Sequence, residues 1–495
     1  MLPGGNAVAA EHPRSDVVGV KVSVDHFING ARVPSPTTFE DRSPLDWSVQ
    51  LADVSAGDAV TADAAVTAAT AAFPEWAGLG ATGRAVILRR LADLVDENVP
   101  DIAAVECMDM AMRHESLRER VISRGARNFR AYADLAEAYE ERRWSSNGTA
   151  NLVQRMPAGP SVVITPWNAP FMLATWKVAP ALAAGNTVVL KPAEWSPLSA
   201  SLLADLAAEA GMPPGVFNVV QGIGEEVGPP LVSDRRIRRI SFTGSPETAR
   251  VIGAAAAANI VPFTAELGGK GPLVVLADAD LDAAATVAVG QYGDSGQVCL
   301  AGTRLLVAEE VAEDFLERFN VLVDALVLGD SRDDATDITP MIHPDHLVGV
   351  EAFVDRAREA GDTVLRGGKR LTEDGLWYEP TLISPLSNES EIVQREVFGP
   401  VLTFQTFADE DEVVPLANST EYGLSATLFT GSADKAEHMG RAFRAGTVWV
   451  NCFLVRDLTA PFGGCGISGL GREGGDYALD FQSDLTTLQI RDGST

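Results

Sequence analysis

The sequence predicts an α/β fold, with parallel sheets covered by helices and two or three compact units. Three observations carry that expectation. Between residues 162 and 258, apolar β-branched runs at 162–165, 187–190, 216–220 and 237–242 alternate with helical patterns at 171–184, 197–210, 225–232 and 246–258. Strands apolar on both faces and separated by helices belong to a parallel sheet with helices on either side. A helical pattern at 278–294 then opens a second stretch, in which strands and helices alternate again up to Val450. Finally, 495 residues exceed what one ordinary core can hold. Such a sheet binds ligands at the carboxyl ends of its strands, so chemistry is expected at the strand-to-helix turns.

In chain order, residues 27–33 read as a hairpin, because Asn29-Gly30 supplies the positive φ of a tight turn. Apolar residues at three- and four-residue spacing mark helices at 61–73, 83–97 and 101–112, and residues 117–142 read as one longer, charged helix. A second Asn-Gly turn at Asn147-Gly148 joins two short polar strands, too thin a hairpin to be stable alone. The tail 484–490 reads as a strand and is its plausible partner. Ser196-Pro197 is a cap followed by a proline at the first helical position.

Composition narrows the function. Hydrophobic residues make up 46% and charged residues 22%, the balance of a soluble globular chain. With 39 Lys+Arg against 68 Asp+Glu the net charge is -29, which on average repels nucleic acid and anionic membrane surfaces. An anionic ligand therefore needs a local basic pocket. Cys107, Cys299, Cys452 and Cys465 are too sparse for a disulfide framework and show no paired metal spacing, which points to a reducing cytoplasm. Residues 1–20 carry neither the apolar core of a secretion signal nor an Arg-rich amphipathic pattern and read as a mobile arm. No uncharged apolar run reaches the ~18 residues of a membrane helix.

The strand ends carry the informative residues. Lys191-Pro192-Ala193-Glu194 offers a cation and a carboxylate to the ribose hydroxyls of a dinucleotide. The run from Gln221 to Gly228 resembles G-x-G-x-x-G with one residue too many. Phe242-Thr243-Gly244-Ser245 opens a helix whose N-terminal amides suit a pyrophosphate. The chain is organised around Cys299, in Gly296-Gln297-Val298-Cys299, with Glu266-Leu267-Gly268-Gly269-Lys270 upstream. A thiolate attacks; a nearby carboxylate takes its proton or activates a water that cleaves the covalent intermediate. His343 and His346 are spaced i, i+3 but lack companion ligands, so no metal site is expected.

Together with Pro166-Trp167-Asn168, Glu396-Val397-Phe398-Gly399-Pro400 and Pro461-Phe462-Gly463-Gly464, these segments in this order resemble the NAD(P)-dependent aldehyde dehydrogenases over about residues 25–492. The resemblance implies that family's fold. A parallel-sheet NAD-binding domain would take 21–143 and 161–266, an α/β catalytic domain 267–470, and a three-stranded oligomerisation sheet 144–160 and 478–494. It also implies a homodimer or homotetramer. Cys299 would attack the aldehyde to give a thiohemiacetal, with the Asn168 amide and the Cys299 N–H holding the oxyanion, worth roughly 3 to 4 kcal/mol per donor. After hydride transfer, Glu266 would activate the water that hydrolyses the thioester, with Lys177 and Glu473 in proton relay. The cofactor contacts implied are Ile164, Thr165, Trp167, Lys191, Glu194, Gly224, Gly228, Phe242, Gly244, Ser245, Thr248, Leu267, Glu396 and Phe398. Glu194 favours NAD over NADP, since a carboxylate accepts from a ribose 2′-hydroxyl but repels a 2′-phosphate.

For the substrate, the contexts of Arg124 and Arg456 resemble the branch that oxidises muconate semialdehydes, in which such arginines bind the substrate carboxylate. The bland alternative makes both surface ion pairs. Rival functions are a dehydrogenase for uncharged aromatic or aliphatic aldehydes, a cofactor-independent thiol esterase, and a silent binding protein. An intact ribose clamp argues against the esterase, and intact Cys299, Glu266 and Asn168 argue against silence. The chain departs from many relatives at Arg395, at Gly466 and in the run from Met108 to Arg113.

Overall fold

The computed structural model describes residues 14–491. The alternating runs become Ser161–Ile164, Val188–Lys191, Phe217–Val219 and Arg239–Thr243, each buried along nearly its whole length. They lie in an eight-stranded sheet ordered Gly469–Leu470, Phe263–Glu266, Arg239–Thr243, Ser161–Ile164, Val188–Lys191, Phe217–Val219, His26–Ile28, Ala31–Val33. The five central strands are parallel, and the additions at both edges are antiparallel. Ser161–Ile164 has the next strand in sequence, Val188–Lys191, on one side and Arg239–Thr243 on the other. That reversal of strand order opens a crevice beyond the carboxyl ends of these strands.

Local chemistry sets the helices that cover this sheet. Asp58 caps Ala59–Gly78 by accepting from the Val60 and Thr61 amides, and Ser245 caps Pro246–Asn259 by accepting from Thr248. Pro170–Ala184 starts with proline and stops at Gly185, at φ 99°. The Asn-Gly turns take positive φ at both central positions, 54° and 76° at Asn29-Gly30 and 53° and 68° at Asn147-Gly148.

After Glu266 the chain crosses through Leu267–Gly271 into a seven-stranded sheet. Its order is Thr363–Arg366, Thr381–Ser384, Val401–Phe407, Arg304–Ala308, Pro272–Val275, Ser425–Phe429, Thr447–Val450, parallel except for the first pair. A separate antiparallel sheet joins Arg142–Ser146, Thr149–Pro157 and Ser483–Arg491, with Leu488 opposite Leu152. No described helix is long and apolar enough to cross a membrane.

Five sequence expectations change. Ser196, read as a cap with Pro197 at the first helical position, caps nothing: the helix runs Leu198–Glu209 after Pro197 with no side-chain cap of its own, and the Ser196 hydroxyl donates instead to the Trp167 carbonyl at 3.1 Å. Residues 14–20, read as part of a mobile arm, belong to the hairpin Arg14–Val17 with Val20–Ser23, whose Val17 and Val22 are buried; residues 1–13 lie outside the described residues. The helix expected at 117–142 is a π turn, Leu117–Val121, running into Ile122–Glu137, and Arg142 already stands in a strand, its register set by pairing with Val153. The pattern at 278–294 forms a helix only over Leu281–Gly290, capped by Asp280; Asp294 and Ser295 turn left-handed. Gly469–Leu470, assigned by sequence to the second unit, pairs with Phe263–Glu266 at the edge of the first sheet, tying the two together.

Candidate active site

The site forms where the loops beyond Ser161–Ile164 and Arg239–Thr243 meet the loop carrying Cys299. Gly296, at φ 67°, lies so close to the Gly399 carbonyl that a Cβ would overlap it, and a Cβ on Gly269 would overlap the Cys299 carbonyl. Only glycines let these three backbones touch. Asn168 Nδ2 donates to the Gln297 carbonyl at 2.9 Å, which fixes its amide beside the nucleophile loop and leaves its second N–H free. Cys299 is half-buried and packs with Val298, Leu300 and Phe462. Burial, then the charges of Glu396 and Glu266, push its thiol up to about 12, and Arg456 opposes them.

Glu266 ends its strand buried, and neither carboxylate oxygen has a hydrogen-bond partner. A Cβ on Gly463 would come within 2.6 Å of Glu266 Oε1, so the second glycine-rich loop makes the room this carboxylate occupies. Burial first and the neighbouring Glu473 second hold its pKa well above the ordinary carboxylate range. Glu473 is bonded to Lys177, whose Nζ also lies 3.1 Å from Ser241 Oγ. An unpartnered carboxylate, an adjoining buried Lys–Glu pair and a thiol thus occupy one electrostatic neighbourhood, the arrangement for moving protons between a nucleophile, a carboxyl and water.

The expected cofactor contacts fall along the crevice. Lys191 Nζ meets Glu194 Oε2 at 2.7 Å, and a Cβ on Gly224 would sit 3.7 Å from that Nζ. Gly228 lies a turn further along Gly224–Val232. Ile164 ends its strand, and the buried Thr165 hydroxyl that follows has no partner. Gly244, whose N–H donates to the Glu266 carbonyl at 3.1 Å, is packed against the Phe242 ring. Ser245 and Thr248 form the N-terminus of Pro246–Asn259, and Leu267 N donates to the Ser468 carbonyl at 2.9 Å. Glu396 Oε1 accepts from Gly269 N at 2.8 Å, and a Cβ on Gly268 would overlap this carboxylate. Phe398 meets Trp167 edge-on, 5.3 Å between ring centres. An orphaned hydroxyl, a free helix N-terminus, a Lys–Glu clamp and a glycine cradle fit a dinucleotide.

The arginines converge on Trp176, a side chain to which the sequence reading assigned no role. The guanidinium carbons of Arg124 and Arg456 lie 5.5 and 5.6 Å from its ring, and that of Arg456 lies 3.8 Å from the Phe462 ring. Among the described residues neither has a carboxylate partner, and Arg124 Nε is buried without any partner, so the surface ion-pair reading fails. Burial and the charge of Arg456 lower Arg124 to about 10. The nearest carboxylates acting on Arg456, Glu266 and Glu473, make no ion pair with it. Trp176 lies on the same helix as Lys177, but one sequence carries no signal that its ring meets both guanidinium groups.

The departures have local forms. Arg395 Nη2 faces Glu247 Oε1 at 3.6 Å, Gly466 stands at φ 59°, and Ala111 ends Val99–Met110 in the left-handed region, at φ 60°. Asp109 and Glu106 on that helix are buried; Asp109 Oδ2 accepts from Leu198 N and Glu106 Oε2 from Phe171 N, both at 3.0 Å.

A 2-hydroxymuconic semialdehyde dehydrogenase of Pseudomonas sp. (strain CF600) is 38% identical, covering 94% of this chain and 99% of that protein. A mitochondrial benzaldehyde dehydrogenase of Antirrhinum majus is also 38% identical, covering 96% and 90%. The P. syringae indole-3-acetaldehyde dehydrogenase, solved in complex with NAD+, superposes with a TM-score of 0.93 at 35% identity, covering 96% and 98%. The model of the aldehyde dehydrogenase family matches residues 33–488, and the chain belongs to that family.

Proposed function

We propose that this enzyme oxidises an aldehyde bearing a carboxylate, of the muconate-semialdehyde kind, with NAD. The observation that carries the substrate class is the pair Arg124 and Arg456, stacked about Trp176 with no carboxylate in salt-bridge contact among the described residues, and with Arg456 close enough to Cys299 to bear on its ionisation. NAD supplies the hydride acceptor when bound. Ile164, Thr165, Trp167, Lys191, Glu194, Gly224, Gly228, Phe242, Gly244, Ser245, Thr248, Leu267, Glu396 and Phe398 would hold it, and the Glu194 carboxylate disfavours a 2′-phosphate. Cys299 Sγ adds to the aldehyde carbon, its proton passing to Glu266. The Asn168 N–H and the Cys299 N–H steady the oxyanion. Once hydride has left carbon, Cys299 carries a thioester. Glu266 first passes the Cys299 proton outward through Lys177 and Glu473, and as a carboxylate again takes a proton from the water that adds to the thioester. The C–S bond breaks, that proton goes to the leaving Cys299 sulfur to restore the thiol, and the acid product departs as its carboxylate with its own proton released to solvent. The three-stranded sheet ends in exposed strands on both sides, which supports a homodimer or homotetramer.

The test is steady-state NADH formation with 2-hydroxymuconate semialdehyde and with benzaldehyde, on the wild type and Arg456→Ala. The mutant is expected to lose roughly 10- to 1000-fold in kcat/KM on the semialdehyde and little on benzaldehyde. Equal losses on both would make Arg456 structural. No turnover of the semialdehyde by the wild type would move the substrate to the uncharged aldehydes, the class favoured by the equally similar benzaldehyde dehydrogenase.

A further inference from the structure

The histidines spaced i, i+3 stand at the start of the helix Pro344–Glu359, where His343 is the cap. We infer that His346 is a positioning residue that fixes the arm from Glu396 to Phe398 through the Phe398 carbonyl. The inference rests on the proposed reading of Glu396 and Phe398 as cofactor contacts. His346 Nε2 lies 2.9 Å from the Phe398 oxygen. A carbonyl only accepts, so Nε2 carries the hydrogen and donates it. Burial lowers His346 to about 4, so at neutral pH the ring is an uncharged donor. Phe398 stands at φ 56°, in the left-handed region that strains a residue with a Cβ, and this hydrogen bond helps hold it there. The two rings also share Trp167, whose centre is 5.1 Å from His346 and 5.3 Å from Phe398.

The segment leading to His346 reaches the other working loops as well. Thr339 O accepts from the Ser295 hydroxyl, and Ile342 N donates to Gln297 Oε1 at 3.0 Å, two residues before the nucleophile. His343 stacks on Trp195 at 4.4 Å with the rings 4° from parallel, beside Glu194 of the ribose clamp. Residues 339–346 therefore hold the nucleophile loop, the ribose loop and the Glu396 arm to one frame, and His346 is its link to the arm.

The experiment compares His346→Leu, which removes the donor, with His346→Gln, which keeps one at similar reach. Glu396→Gln serves as the reference. NAD affinity is measured directly by titration calorimetry without aldehyde, alongside KM for NAD, KM for aldehyde and kcat. His346→Leu is expected to weaken NAD binding about tenfold while KM for aldehyde stays within about twofold, and His346→Gln to recover most of the loss. Equal NAD affinities for the Leu and Gln variants, or equal shifts in both KM values, overturn the inference. Wild-type NAD affinity in Glu396→Gln would instead refute the cofactor-arm reading beneath it. Should His346→Leu not fold, His346→Phe keeps a ring against Trp167 without the donor and takes its place, with the same expected and overturning results.

Discussion

Burial and two carboxylates push the Cys299 thiol up to about 12, so the free protein holds a thiol at neutral pH, and the proposed mechanism has Glu266 take its proton. Alkylation of Cys299 by iodoacetamide should accordingly be slow at pH 7 and climb about tenfold per pH unit through pH 9. Glu396→Gln, which removes one of the two repelling charges, should speed it. A rate that levels off below pH 8 would show the thiol already activated. Glu266 itself, its pKa raised chiefly by burial, needs a proton removed before it can serve as base. Hydrolysis of the thioester should therefore rise with pH above the ordinary carboxylate range, and Glu266→Gln, which removes the base from both the thiol and the water step, should lower the pre-steady-state and the steady-state rates of NADH formation and flatten that rise.

At the scale of elements, buried acids take the place of small polar caps. Asp109 and Glu106, i, i+3 on Val99–Met110, reach the first turns of Leu198–Glu209 and Pro170–Ala184, the helices that follow Val188–Lys191 and Ser161–Ile164. Asp109→Ala should cost about 1–3 kcal/mol in chemical denaturation by leaving the Leu198 amide unsatisfied. Asp41, buried beside Asp109, is pushed up to about 8 by desolvation. Its folded pKa lies above the unfolded one, near 4, so the folded state binds the extra proton between those values. That contribution is fully present below about pH 4 and is lost as pH rises to about 8. Asp41→Asn should flatten this part of the stability profile, measured as Tm against pH; an unchanged slope would mean the pair does not hold the proton.

At the scale of the molecule, Arg142–Ser146 and Ser483–Arg491 leave both edges of a small sheet open, and Leu488 and Ile490 are 45% and 48% exposed on one of its faces. A three-stranded sheet with so little of its own core needs cover. Leu488→Asp with Ile490→Asp is expected to shift the protein toward monomer in size-exclusion chromatography with light scattering. An unchanged molar mass would place the subunit contact elsewhere.

Whatever depended on neighbours in sequence was legible from the chain. The Asn29-Gly30 and Asn147-Gly148 turns and the alternation of strand and helix periods are local chemistry, and they appear in the structure as read. Cys299, Glu266, Asn168 and the Lys191–Glu194 pair stand out as candidates in the sequence because each sits in a short motif at a strand end or loop. The limits of local reading show at Ile122–Glu137, where the helical pattern runs on past the point at which pairing with Val153 turns the chain into a strand. Tertiary structure alone decided that Arg124 and Arg456 meet at Trp176, that Gly463 makes room for Glu266, that Gly469–Leu470 returns to the first sheet, and that His346 reaches Phe398. These partners stand tens to hundreds of residues apart, so no short-range period or turn preference encodes them. Only the tertiary fold brings them into contact.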